Sequence, residues 1–448
     1  MSVLTGAPAR SAAELEELDR RRLLHPHQTG ARQERCVIVR GAGCAVWDAH
    51  GTEYLDMMGG GNWVAQVGHG RRELAEAAAG QIGTLEYFTG FDIFSNDRAL
   101  ELADRLVALA PDGLDRVFFT NGGSEGVESA MKFARLYHHH RGQPERTWII
   151  ARHFAYHGST YGSGTATGFP GMHHGIGPGL PHVVKVSPPH AYRAEDMCPG
   201  RDFTDFLIEE LATTIDTIGA GNIAAMIGEP VMGGAGILVP PADYWPRVRE
   251  LLDRHGILLI ADEVVTGFGR TGAWFDSAQR GMRPDIVVLA KGLTSGYAPL
   301  GAVLVGDGVG ETLVGGDAYL FHGHTYSGHA GACAVALANL DLLQGEGLID
   351  RSVTVGGWLR EALAPVAGLP RVGEIRVAGA TAGIELVADR ATREPLMAGG
   401  VASGLRDGHR VVTRDYGNTL VMAPPLVVSR AEVQRAAAAV LDVIGALP

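Results

Sequence analysis

The chain has 448 residues, of which 46% are hydrophobic and 20% charged, enough for more than one apolar core and with no tract polar enough to stay unfolded. A formal net charge of −12 with no long Lys/Arg cluster argues against a nucleic-acid partner, because phosphate binding draws on a basic surface. No N-terminal apolar segment and no run of about 18 apolar residues is present, so the sequence is expected to be soluble and cytoplasmic.

Along the chain, Arg20, Arg21 and Arg22 form the one dense basic run and read as a solvated helix face. CVIVRGAGCAVWDAHGTEYLDMMG alternates apolar and polar residues around turn glycines, which predicts a small antiparallel element. RALELADRLVALAPDG puts Leu102, Leu106 and Leu109 at helical spacing and stops on Pro and Gly. From Arg116 to about Val305 short apolar runs alternate with helical stretches. The runs are RVFFT, TWIIAR, IAAMIGEPV, ILLIADEVV, PDIVVLA and LGAVLV; between them SEGVESAMKFARLYHHH and YWPRVRELLDRHG are helical. Strands of that texture form a mostly parallel sheet buried on both faces, an α/β core.

Beyond residue 340 the pattern becomes α+β. LDLLQGEGLIDRSVTVGGWLREALAPV reads as helical, and ATAGIELV, RVVTRD and NTLVMAPPL read as strands. Ser429 and Glu432 sit at capping-box spacing before the last helix. The division expected is an N-terminal part of a small domain (1–75), a large domain (76–340) and the C-terminal part of the small domain (341–448).

The four cysteines, Cys36, Cys44, Cys198 and Cys333, lack C-x-x-C spacing and fit neither a disulfide framework nor a zinc site. His138 to His140 and the HGH at His322 to His324 have no acidic or thiolate partner at ligand spacing, so no metal is expected.

The chemistry centres on Lys291, where the apolar run IVVLA ends. Burial disfavours the charged ammonium, and a neutral amine is a nucleophile suited to Schiff-base chemistry with pyridoxal phosphate. That cofactor also needs an acid at its pyridine nitrogen, and Asp262 closes the preceding apolar run, where open α/β sheets gather ligands. It needs an anion site as well. Asn121-Gly122-Gly123-Ser124, between a strand and a helix, supplies glycines and a helix N-terminus.

These residues resemble the class III aminotransferases of the fold-type I pyridoxal-phosphate enzymes. Their long signature is matched by Leu259, Ile260, Asp262, Glu263, Val264, Gly267, Phe268, Gly269, Arg270 and Gly272, then by Asp285, Ile286, Ala290, Lys291, Gly292 and Gly296. The resemblance implies a large mostly parallel sheet domain with a smaller α+β domain built from both chain ends. It implies that Lys291 carries the cofactor and moves the proton, and that Asp262 partners the pyridinium. Gly123 and Ser124 would bind the phosphate. Tyr156, followed by His157 and Gly158, would stack on the cofactor ring, with Val264 on the opposite face.

The resemblance further implies that Thr325 reaches the phosphate of a neighbouring subunit in a homodimer. Glu229 matches a glutamate near the cofactor that pairs with a substrate-side arginine, for which Arg414 is the candidate, a guanidinium fork suiting a keto-acid carboxylate. Trp63 and Phe88 are candidates for the pocket wall. Gly122, Val265 and the Gly126-Val127 pair depart from common family residues, and Val265 leans towards the ω-amine and β-amino-acid branch. The function expected is amino transfer from an amine or ω-/β-amino acid to a 2-keto acid, pyruvate or 2-oxoglutarate, by two half-reactions. A racemase, aminomutase or decarboxylase on the same fold is the alternative, and a non-catalytic cofactor-binding protein is a more remote one.

Overall fold

In the computed structural model, residues 10–27 and 34–448 are described. Seven strands form the central sheet, in the spatial order Leu114–Thr120, Gly301–Gly306, Ile286–Leu289, Leu258–Asp262, Ile223–Gly228, Trp148–Arg152 and Val183–Val186. Gly301–Gly306 runs antiparallel to both its neighbours, while the other pairs are parallel. Every residue of the four central strands from Gly301–Gly306 to Ile223–Gly228 is buried, which is why their sequences are continuous apolar runs. Val183–Val186 is an edge strand that the sequence pattern did not single out.

One face is covered by the helix Gly123–His140, whose Val127, Ala130, Met131, Phe133 and Ala134 join the sheet in one apolar cluster. The other face packs against the helix Tyr244–His255, through Trp245, Val248 and Leu252. Asp285 ties two strands together: its carboxylate accepts the Leu259 N–H at 2.7 Å and pairs with Arg249 at 2.7 Å. That signature residue is therefore structural.

The expected small antiparallel element is present as Ile38–Ala42, Ala45–Asp48 and Glu53–Asp56, and it is closed by Val411–Val412, parallel to Glu53–Asp56. The smaller α+β part thus draws on both chain ends. A second antiparallel sheet holds Val372–Ala378, Thr381–Asp389, Thr419–Met422 and Arg414–Tyr416. The capping box at Ser429 and Glu432 opens the helix Arg430–Gly445.

One expectation is corrected. The stretch LDLLQGEGLIDRSVTVGGWLREALAPV is two helices, Ala330–Gly345 and Leu348–Leu363, rather than one. Gly347 sits between them at φ +62°, a left-handed conformation open to glycine, and the helices meet at 61°. Neither they nor any other single helix among the described residues is long and apolar enough to cross a membrane.

An ionic cluster joins the large domain to the C-terminal sheet. Glu385 accepts from Arg376 at 2.6 Å and Arg193 at 2.8 Å and lies 2.9 Å from His190. His190, Glu374 and Glu385 have metal-like spacing, but Arg376 and Arg193 already neutralise the carboxylates. The cluster reads as a clamp.

Candidate active site

The functional side chains leave the carboxyl ends of the parallel strands, as in other open α/β sheets. Asp262 ends Leu258–Asp262, Lys291 follows Ile286–Leu289, and Glu229 follows Ile223–Gly228. Tyr156 and His157 follow Trp148–Arg152, and Gly123 and Ser124 open the helix after Leu114–Thr120. All of them border one cavity of about 2080 Å³ together with Trp63, Val264 and Arg414.

Lys291 is set on a constrained turn. Its φ is +44°, unusual for a residue with a side chain, and such positions cost on the order of 1–3 kcal/mol unless their surroundings hold them. Here they do. Asn339 Nδ2 donates to the carbonyls of Gly292 and Leu293 at 2.8 and 3.1 Å. Gln66, fully buried and donating to Gly267 O at 3.1 Å, lies so close that a Cβ on Gly292 would meet its Nε2 at 2.1 Å. The strand end is thereby locked.

Lys291 is half-buried, because it borders the cavity. Burial pulls its pKa down from 10.5 to about 8, with the nearby Asp262 carboxylate opposing and Arg414 and Arg270 reinforcing the fall. The amine is thus far easier to deprotonate than a surface lysine, yet it remains mostly protonated at pH 7.

Asp262 accepts from His157 Nδ1 at 2.7 Å and from the Val264 N–H at 3.1 Å. Each oxygen therefore has a donor of its own, which fixes the carboxylate plane while leaving lone pairs towards the cavity. His157 is fixed in turn: its N–H donates to Thr167 Oγ1 at 2.9 Å.

Glu229 comes to the site, but its carboxylate is engaged by Arg152 and not by Arg414. Arg152 Nη2 donates to Glu229 Oε2 at 2.9 Å and to its carbonyl at 2.6 Å, and Glu229 Oε1 accepts the Tyr156 N–H at 3.1 Å. The reason is electrostatic: Arg152 is fully buried and needs a counter-charge.

At the anion site no side chain caps the helix Gly123–His140, so its first amides remain for a ligand. Ser124 Oγ accepts the Ser159 N–H at 3.2 Å. Gly158 allows that approach: its φ is +129°, and a Cβ there would meet Ser124 Oγ at 2.7 Å. A Cβ on Gly123 would meet both methyls of Val264 at 3.0 Å, so the pair form one tight wall.

Arg414 is half-buried and makes two long contacts, at 3.4 Å each, to Gly61 O and Asn62 Oδ1. Trp63 is 3% exposed, at φ +57°, with its ring 5.2 Å from Lys291 Nζ. Phe88 and Thr325 are not at the cavity. Phe88 is exposed and packs edge-on against Phe94, and Thr325 is exposed on a loop where its carbonyl accepts from the Tyr87 hydroxyl at 2.8 Å.

Sequence reasoning missed Tyr416, which stacks on Trp63 with ring centres 5.0 Å apart, and Arg152. Tyr416 stands two residues after Arg414 on one strand, and period-2 alternation could have placed both on one face. For Arg152 there was no local signal.

The residues present fit pyridoxal phosphate. A helix start without a cap suits its phosphate, the Gly123–Val264 wall its flat ring, a fixed carboxylate its ring nitrogen, and an amine of lowered pKa at the cavity its aldehyde. On fold and site the chain falls in the class of fold-type I pyridoxal-phosphate enzymes. Residues 27–444 match the model for aminotransferase class-III, and the chain belongs to that family.

It is similar to the putrescine–pyruvate aminotransferase of Pseudomonas aeruginosa, 38% identical over 412 residues that span 91% of this chain and 89% of that one. Among solved structures it resembles a thermostable (S)-enantioselective omega-transaminase from Thermomicrobium roseum. That match is 43% identical with a TM-score of 0.94, covering 98% of this chain and 100% of the other. It also resembles a pyridoxal-phosphate-bound amine transaminase from an uncultivated Pseudomonas species, 40% identical with a TM-score of 0.91, covering 95% and 98%. The protein is a pyridoxal-phosphate-dependent transaminase that moves an amino group from an amine or amino-acid donor to a keto acid. Nothing in the comparisons favours the racemase, decarboxylase or non-catalytic readings.

Proposed function

We propose that this enzyme takes an ω-amine whose substituent is apolar or aromatic as donor, and a pyruvate-type keto acid as acceptor. One observation carries the reading: Arg414 and the stacked Trp63–Tyr416 pair border the same cavity as the Lys291 amine. A guanidinium serves a carboxylate, and aromatic rings serve an uncharged substituent. The pyruvate-coupled relative from Pseudomonas aeruginosa supports the acceptor.

When bound, the cofactor supplies an electron sink for the carbon that loses its proton. The chain's own residues do the rest. Lys291 Nζ would hold the cofactor, and its amine would take and return the proton of the carbon bearing the amino group. Its low pKa lets the same amine give and take that proton near neutral pH. Asp262, oriented by His157, would hold a proton on the pyridine nitrogen. Gly123 and Ser124 would bind the phosphate, and Tyr156 and Val264 would flank the ring. Glu229 acts at one remove, locking Arg152 and the Tyr156 backbone. Arg414 binds the acceptor's carboxylate.

The active form is a homodimer in the cytoplasm. Exposed aromatics on two segments support the dimer: Phe91 and Phe94 on one, and Tyr319, Phe321 and Tyr326 on the segment that carries Thr325, with Phe321 88% exposed. That patch would place Thr325 of the partner subunit at the phosphate. Four unbridged cysteines support a reducing compartment. We divide the chain as 1–75, 76–340 and 341–448, a reading supported by the Val411–Val412 strand closing the N-terminal sheet.

The test pairs acceptors. With an aromatic amine donor and pyruvate, alanine should form, and Arg414→Ala should raise the KM for pyruvate roughly 10- to 100-fold, the loss of a charge-assisted contact, while leaving an aldehyde acceptor nearly unchanged. Equal losses for both acceptors would remove Arg414 from this role.

A further inference from the structure

We propose that Tyr416 is a positioning residue for acceptor recognition: its ring seats the Arg414 guanidinium at the cavity wall and braces the Trp63 indole that bounds the same space. The inference rests on Arg414 as the carboxylate-binding group and adds what holds it there.

The guanidinium lies 5.4 Å from the Tyr416 ring centre, within cation–π range. Its polar contacts, both at 3.4 Å, are near the outer limit of a hydrogen bond, and among the described residues no carboxylate pairs with it. The aromatic seat is therefore the contact that best defines where Arg414 rests. The same ring stacks on Trp63 at 5.0 Å with 25° between planes, so one side chain touches both walls of the pocket.

The strand beneath is itself anchored. Arg414–Tyr416 pairs antiparallel with Thr419–Met422, and the intervening Asp415 accepts the Ala402 N–H at 3.2 Å, pinning the strand to the start of the helix Val401–His409. Alternation along that strand turns Arg414 and Tyr416 to one side and Asp415 to the other. Tyr416 is half-buried, and burial keeps its phenol neutral well above the usual range, so the ring is the same seat at any working pH. A seated guanidinium has less freedom to lose when a carboxylate arrives.

The experiment measures KM and kcat for pyruvate and for an aldehyde acceptor on the holoenzyme and four variants: Tyr416→Leu, Tyr416→Phe, Arg414→Ala and the double Arg414→Ala/Tyr416→Leu. Tyr416→Leu should raise the KM for pyruvate roughly 3- to 10-fold more than the KM for the aldehyde. Tyr416→Phe keeps the ring and should keep the wild-type acceptor ratio. The double variant should discriminate no worse than Arg414→Ala alone, since the seat matters only through the arginine. Equal effects of Tyr416→Leu on both acceptors, a lost ratio in Tyr416→Phe, or multiplying effects in the double variant would overturn the role of Tyr416 while leaving that of Arg414 standing. An Arg414→Ala variant that affects both acceptors alike would overturn both readings.

Discussion

Replacing Lys291 by methionine removes the amine and keeps a chain of similar length. In the cofactor-free protein the fall of the Lys291 pKa from 10.5 to about 8 is a penalty on its charged form. At about 1.4 kcal/mol per tenfold change, a fall from 10.5 to about 8 makes that penalty about 3.5 kcal/mol at most. The half-buried stem borders an open cavity, where water screens part of the cost, so about 2 kcal/mol is the expected gain in stability for Lys291→Met at pH 7. The sign follows from proton counting. Between pH 8 and 10.5 the unfolded chain holds the proton and the folded chain has released it, so wild-type stability rises with pH through that window. The advantage of the variant should therefore be full below pH 8 and fade as pH approaches 10.5. Urea unfolding of both cofactor-free proteins at several pH values reads this directly. A variant no more stable than wild type at pH 7, or a difference that ignores pH, would refute the burial argument for this lysine.

Gly123→Ala should press a methyl against Val264, 3.0 Å away, and drive it into the ring slot; cofactor affinity should fall roughly tenfold, measured by titration of the apoenzyme, and Gly123→Ala/Val264→Ala should recover most of it. Phe321→Glu places a charge in the exposed aromatic patch and should shift the protein from dimer to monomer in light scattering, with cofactor binding weakened because Thr325 of the partner subunit is withdrawn.

The catalytic end of the sheet was legible because parallel strands buried on both faces leave uninterrupted apolar runs, and a charged residue closing such a run stands out. Lys291 and Asp262 are of this kind, and the cavity joins them. Relations fixed only by tertiary packing were not legible. Glu229 was paired with Arg414 through the family resemblance, yet a fully buried arginine at the end of a neighbouring strand claims it first. Trp63 was a candidate wall, but nothing local shows that Tyr416, from the far end of the chain, stacks on it. Gly347 lay inside an otherwise continuous apolar pattern that masked a local signal, a glycine free to take φ +62° after a helix end. Phe88 and Thr325 lie away from the cavity of their own chain, and a place for Thr325 at the site rests on the proposed dimer.

The chain contains three lysines, Lys132, Lys185 and Lys291, which makes covalent mapping unambiguous. Borohydride reduction of the holoenzyme, followed by peptide mass mapping, locates the residue that carries the cofactor. The label is expected on Lys291 alone, and absent when a donor amine is added in excess before the reductant. A label on Lys132 or Lys185, or one on Lys291 that the donor amine does not displace, would contradict the role given to Lys291.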